Sequence, residues 1–294
     1  MWKRGWPPCG GSLPHCPFRS IRSGNQAANL VKEGLQELIL CTLSRQGFFE
    51  KALFHGGTCL RILHGLDRFS EDLDFTLLDR DLDFDFGLYS ENLVKELGSK
   101  GLSVTANLRR PCGELKVYSA KFKINLREAL ESAGFDADLI QRSHSKVLVV
   151  VKIDIDLDPA TQAETVIVRK TSPLEYDVRT EPLPVLFAGK TAAVLCRHWG
   201  NRVKGRDFYD FRWYIEHGIP IDIRCLESQL DKKCEPTTGL DRETLVTILK
   251  KRFDTLDWES AKSDVINFID PSQLGEWGPE PFKALADRIS VFEN

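Results

Sequence analysis

The chemistry of this chain is concentrated between Phe54 and Phe75. The stretch opens with Phe54-His55-Gly56-Gly57-Thr58, passes Arg61, and ends with Arg68-Phe69-Ser70-Glu71-Asp72-Leu73-Asp74-Phe75. A glycine pair lets backbone N–H groups approach an anion with no Cβ in the way, and a helix opening there favours negative charge. Asp72 and Asp74 stand two apart, so on an extended segment both carboxylates point to one face. Two carboxylates beside a phosphate-binding turn suit a pair of Mg2+ ions bridging a triphosphate. Mg2+ uses few carboxylates together with substrate oxygens, so a third acid is expected nearby. Asp154 and Asp156 are the candidates, on a segment where they share a face with Lys152. Such a site would orient and deprotonate an attacking hydroxyl. It would also neutralise charge on the α-phosphate and on departing pyrophosphate.

Positioning these groups requires a strand, a turn, a helix and a second strand. Phe48–His55 reads as a short strand ending in Gly56-Gly57. Thr58 can then N-cap a helix with Leu60, Leu63 and Leu66 on its inner face, closed by Gly65. Asp72–Leu77 alternates polar and apolar residues, as a half-buried strand does. Upstream, Ala28, Val31, Leu35, Leu38, Ile39 and Leu43 recur at helical spacing over residues 25–46. Downstream the pattern predicts a helix over 90–100 and a hairpin of 102–108 with 115–124 around Pro111-Cys112-Gly113. Strands over 147–157 and 166–169 follow, the first beginning fully apolar. After Pro182 and Pro184 helices are expected near 186–198, 206–217, 241–253 and 258–269, with polar turns after the second. Trp199, Trp213 and Tyr214 read as core of that half. The expected organisation is α/β (α+β): a mixed-sheet catalytic domain over 25–180, then a helical domain over 181–294 that contributes to the active site. Residues 1–24, rich in Pro, Gly and Cys and without periodicity, read as a disordered tail or as sequence upstream of the true start.

The run GGTCLRILHGLDRFSEDLDF resembles the signature of the AbiEii/AbiGii nucleotidyltransferase toxins, a branch of the DNA-polymerase-β-like nucleotidyltransferases. That pattern is a glycine pair with Ser or Thr, an Arg, then R-x-S-x-D-L-D-F. Gly56, Gly57, Thr58, Arg61, Arg68, Ser70, Asp72 and Asp74 fill it with no departure. The segments Ala188-Gly189-Lys190-Thr191-Ala192-Ala193 and Gly205-Arg206-Asp207-Phe208-Tyr209-Asp210 are also similar to the family, and the likeness covers about residues 28–290. In that family a Lys on one helix and an acid on the next complete the site. Here these are Lys190 and either Asp207 or Asp210, which stand one turn apart. The resemblance implies a Mg2+-dependent transfer of a nucleotide from an NTP, in some members to the 3′ end of tRNA. It implies a toxin of a toxin–antitoxin or abortive-infection (phage-defence) pair, with a cognate antitoxin as partner. In some members the Ser equivalent to Ser70 is a target of inhibitory phosphorylation. Asp154 or Asp156 would then serve as third metal ligand and general base, Arg61 as a phosphate contact, and Lys190 as a cation reaching the triphosphate. Arg68 would position the acids.

Composition bounds these readings. The formal charge of −3 comes from 40 Lys+Arg against 43 Asp+Glu, which argues against a protein that simply coats nucleic acid. The average hides an acidic block (Glu71, Asp72, Asp74, Asp79, Asp81, Asp83 and Asp85) and two basic stretches, one with Arg109, Arg110, Lys116, Lys121, Lys123 and Arg127, the other with Lys190, Arg197, Arg202, Lys204, Arg206 and Arg212, a pattern compatible with an RNA acceptor. The 8 cysteines form no Cys-x-x-Cys pair, which predicts free thiols and a cytoplasmic setting. No apolar run approaches the ~18 residues of a membrane span. Three rival readings remain. One is transfer to a protein hydroxyl or to a small molecule such as an aminoglycoside. Another is a nucleotide-binding regulatory module without turnover. The third is a nuclease, which the glycine turn disfavours because hydrolysis needs no triphosphate cradle.

Overall fold

The computed structural model describes residues 24–111, 116–133, 140–141, 146–159, 164–172, 174–197, 203–233 and 239–292. Of the tail expected over 1–24, all but Gly24 lies outside them, as does Trp199. The described chain divides into two units. One takes in Met1–Gly65 with Phe69–Thr180; the other takes in Leu66–Arg68 with Glu181–Asn294.

In the first unit the order is α1 (Gly24–Arg45), β1 (Ala52–His55), α2 (Gly56–His64), β2 (Asp72–Leu77), α3 (Gly87–Ser99), β3 (Val104–Arg109), β4 (Val117–Asn125), α4 (Leu126–Ala133), β5 (Leu148–Asp156), β6 (Val166–Lys170) and β7 (Tyr176–Thr180). The strands form one mixed seven-stranded sheet in the order β3-β4-β5-β2-β1-β7-β6. β2 runs parallel to β5 and antiparallel to β1, while β3, β4 and β5 form an antiparallel series. Period-2 burial decides which face is core. Leu73, Phe75 and Leu77 of β2, Tyr118, Ala120 and Phe122 of β4, and Val151, Ile153 and Ile155 of β5 are all buried. The alternating partners, among them Asp72, Asp74, Lys152 and Asp154, fall on the opposite face. α1 packs on β5 and β7 and touches α3 and α4.

The second unit is helical: α5 (Leu183–Cys196), α6 (Gly205–Glu216), α7 (Ile223–Lys233), α8 (Arg242–Asp254), α9 (Trp258–Val265) and α10 (Pro279–Asp287), with a short parallel pair β8 (Ile221–Asp222) and β9 (Val291–Phe292). Phe208, Phe253, Trp258 and Phe282 form its aromatic centre, with ring centroids 4.6–6.3 Å apart. Trp213 and Tyr214 are buried. α6 and α9 touch closely enough that a Cβ on Gly205 would stand 1.8 Å from the carbonyl oxygen of Ala261, so only glycine fits there.

Several local expectations change. Residues 48–50 form a 3-10 turn and the strand begins at Ala52, because Phe48 and Phe49 turn inward to fill the core. The strand expected to open fully apolar alternates from its first residue, and Leu148 is half exposed. α5 starts at Leu183, with Pro184 in its first turn, where the missing N–H costs nothing. Lys190 therefore sits in the middle of this helix. The polar stretch read as turns contains α7, and α4, α10 and β7 had no expectation. Cys41, Cys59 and Cys225 carry free thiols, but Cys196 is in a disulfide. Spacing in sequence says nothing about which thiols meet in space.

Candidate active site

The turn between β1 and α2 is built around an acid rather than around an anion alone. β1 ends at His55, whose residue partner across the antiparallel ladder is Asp74. Gly56 follows at φ +81°, a conformation that favours glycine. A Cβ there would lie 2.5 Å from Oδ2 of Asp74, so the bare Cα is what leaves room for the carboxylate. Helix α2 begins at Gly56, earlier than expected. Its N-cap is His55, with no side-chain hydrogen bond, and Gly65 closes it at φ 78°. Thr58 is therefore inside the helix, not at its cap. Its Oγ1 donates to the backbone carbonyl of Asp72, tying α2 to β2.

β2 presents Asp72 and Asp74 on one half-buried row. The parallel register sets Lys152 opposite Asp72, Asp154 opposite Asp74, and Asp156 opposite Thr76. Asp154 is thus the acid level with the pair. Asp156 lies one step along the strand, where its Oδ1 accepts the Asp158 N–H at 3.0 Å. Asp154 accepts a hydrogen bond from Ser119 Oγ at 2.7 Å and an ion pair from Lys152 Nζ. Among the described residues, none donates a hydrogen bond to the carboxylate of Asp72 or Asp74, and neither is in an ion pair. Burial pushes the Asp72 carboxyl up from its ordinary value, and the neighbouring Asp74 adds to the rise; Lys152 opposes it.

Whether this suits a divalent cation is a matter of donors. Among the described residues no group of three or more His, Cys, Asp and Glu side chains is gathered as a metal site. Two carboxylates facing one way, with no donor among the described residues, nevertheless fit an ion that draws its remaining ligands from substrate phosphates and water. The third acid comes with its own cation, Lys152.

The other expected residues have partners of their own. Arg61 pairs with Glu33 of α1 at 2.6 Å and lies 4.8 Å over the ring of Phe69. The backbone of Ser70 is held by Gln36, whose Nε2 donates to the carbonyls of Ser70 (3.2 Å) and Glu71 (2.9 Å). In the second unit, Arg68, Lys190, Asp207 and Asp210 form one buried charge cluster. Arg68 donates twice to Asp210 at 2.6 and 2.7 Å. Lys190 Nζ lies 2.8 Å from both Asp207 and Asp210, and Arg197 reaches Asp207 at 2.8 Å. Burial alone would raise both carboxyls, yet the facing cations outweigh it and hold them below the usual carboxylate range. Arg206 and Arg212, close to these acids in sequence, pair with Asp264 and Glu216.

Sequence reasoning placed Lys152 on the right face but gave it no role, and it missed Ser119 and Gln36. The alternation of β4 and β5 was the available signal for the first two. Gln36, a buried amide on an apolar helix face, left none.

The model of the family described as nucleotidyl transferase AbiEii toxin, type IV TA system, matches residues 38–288. A search of curated proteins finds no match. Among solved structures, a crystal structure described as a candidate nucleotidyltransferase from H. pylori is similar at 17% identity, with TM-score 0.50 over 88% of this chain and 93% of that one. JHP933 from Helicobacter pylori is similar at 17% identity, TM-score 0.48, over 88% of each chain. MenT4, a nucleotidyltransferase toxin from Mycobacterium tuberculosis H37Rv, is similar at 16% identity, TM-score 0.43, over 91% of this chain and 83% of that one.

Proposed function

Since the chain belongs to the AbiEii nucleotidyltransferase toxin family, we propose that it moves a nucleoside monophosphate from an NTP to the 3′ end of an RNA, a tRNA foremost, in a Mg2+-dependent reaction. The observation that carries this is the pair Asp72 and Asp74, without protein donors, beside the uncapped start of α2. In this reading Asp72 and Asp74 would hold the Mg2+, which when bound would supply charge neutralisation at the α-phosphate and the leaving pyrophosphate. The α2 N-terminus at Gly56-Gly57 receives phosphate oxygens through backbone N–H groups. The acceptor hydroxyl oxygen forms a bond to the α-phosphorus as the bond to the β-phosphate bridge breaks. Its proton passes to a carboxylate, a role Asp154 can take because it stands level with Asp74 in the parallel register. Lys152 and Ser119 fix Asp154 in orientation. A cognate antitoxin belongs to the same proposal, supported by the family's description as the toxin of a type IV TA system, and a role in defence against phage in the cytoplasm is proposed with it.

The test is incubation with labelled NTPs, Mg2+ and total RNA. Label entering RNA with the wild type, and lost with Asp72→Ala, is the expected result. No transfer to RNA, or undiminished transfer by Asp72→Ala, would sink it, and label in protein bands would move the acceptor to a protein hydroxyl.

A further inference from the structure

The sheet register carries the polar face past the carboxylates. Asp72 stands opposite Lys152, Lys152 opposite Lys121, and Lys121 opposite Asn107. One row along, Asp74 stands opposite Asp154, Asp154 opposite Ser119, and Ser119 opposite Arg109. Lys123, opposite Thr105, lies on the same face. With neighbouring strands about 4.8 Å apart, β4 lies about 10 Å and β3 about 15 Å from the Asp72–Asp74 strand.

These outer positions are open. Arg109, Lys121, Lys123, Asn107 and Thr105 are exposed, and the intervening residues Tyr118, Ala120 and Phe122 point into the core. A neighbouring cation of the hairpin, Arg110, is spoken for, since it pairs with Asp85. Among the described residues Arg109, Lys121 and Lys123 have no ion pair and no side-chain hydrogen bond. In a chain with a formal charge of −3, three uncompensated cations on one flat face point to an anionic partner.

The chemistry selects the partner further. The two rows nearest the carboxylates carry no apolar side chain, whereas the centre of a protein–protein interface is apolar and depleted of charge. Among the described residues this face also offers no aromatic ring on which a base could stack, so contact is with phosphates rather than bases. We propose that the open face of β3, β4 and β5 is the track along which a single-stranded nucleic acid lays its phosphates on Lys121, Lys123 and Arg109, delivering its 3′ end to the Asp72–Asp74 row. Recognition on this face is indifferent to base sequence. That the strand is RNA rests on the function proposed above.

The experiment separates the two. The probe is a 3′-blocked single-stranded RNA oligonucleotide, which binds without reacting, titrated by fluorescence anisotropy over a range of salt. The variant is Arg109→Gln/Lys121→Gln/Lys123→Gln, all exposed positions, with its melting temperature checked against wild type. The expected loss is about tenfold or more in affinity at low salt. The slope of log K against log salt falls by about 0.7 for each phosphate contact removed, so by about two in all. In turnover assays the KM for RNA rises while that for NTP is unchanged. Equal binding by variant and wild type overturns the track and leaves the proposed function standing. Failure of the wild type to bind the oligonucleotide, with label entering protein, overturns the track as well. RNA binding that the variant abolishes, in a wild type that transfers no nucleotide, supports the track and overturns the proposed function.

Discussion

Arg68 and Asp210, 142 residues apart in the chain, are joined by two parallel hydrogen bonds of 2.6 and 2.7 Å between side chains that are 3% and 0% exposed. This fork-to-fork geometry satisfies both charges where water cannot. The Arg of the R-x-S-x-D motif is thus spent on an acid far along the sequence rather than on the acids beside it.

Removing one partner strands the other. Asp210→Asn should cost about 3–5 kcal/mol at neutral pH, because Arg68 and Lys190 remain buried with less countercharge. The pH dependence has a definite sign. The Asp210 carboxyl is lowered in the folded protein, so its contribution is complete above the unfolded carboxylate value of about 3.9 and is lost as pH falls through the folded value. Urea unfolding from pH 7 to pH 3 should show the gap between wild type and variant narrowing below about pH 4. A gap that widens on acidification would contradict the assignment.

At Gly56 the side chain that is missing matters most. Gly56→Ala places a methyl on a residue at φ +81°, worth about 1–2 kcal/mol of strain, and sets it 2.5 Å from Asp74 Oδ2. The carboxylate must move. Displacement on the order of 1 Å at a reacting centre costs about 10²-fold, so transfer should fall by about that factor, in kcat rather than in KM for NTP. Steady-state kinetics on the folded variant decide it.

Lys152 provides the first unit's own positive charge beside its acids. In Lys152→Met, Asp154 loses its ion pair and Asp72 the cation that opposes its rise. The metal-free variant should melt below wild type, and added Mg2+ should raise its melting temperature by more than it raises that of wild type. Identical Mg2+ responses in a thermal melt would show that the ion does not bind beside Lys152.

Thr58 offers a cleaner contrast. Its hydroxyl holds the Asp72 carbonyl, so Thr58→Val should lose about 0.5–1.5 kcal/mol while Thr58→Ser keeps most of it. Were the hydroxyl a substrate contact only, both variants would melt as wild type does.

The sheet was legible in sequence wherever one face is polar. Period 2 in Asp72–Leu77 and in 152–157 marks both the strands and the shared row of Asp72, Asp74 and Asp154, since a slip of one residue would turn the acids into the core. β6 was readable from its run Val166-Ile167-Val168, whereas β7 alternates but, at five residues, offers only Tyr176 and Val178 as apolar positions. α7 was hidden because its apolar positions are few: among its described side chains Ile223, Leu226 and Leu230 are the buried ones. Within the site, residue types were readable and partners were not. Arg61 reads as a phosphate contact until Glu33 of α1 is seen beside it, and Lys190 reads as open until two carboxylates are seen around it. Which charges meet depends on tertiary approach, which no spacing rule encodes.

The three residues Leu66–Arg68 belong with the second unit although the chain on either side of them belongs with the first. The gene therefore cannot be cut at residue 180 into two transferable modules. A fragment ending at Thr180 keeps Arg68 but leaves behind Asp210, and a fragment starting at Glu181 keeps Asp210 but lacks its guanidinium. Any chimera that exchanges the helical half must carry the matching short loop between α2 and β2, so the two stretches of coding sequence are expected to be inherited and engineered together.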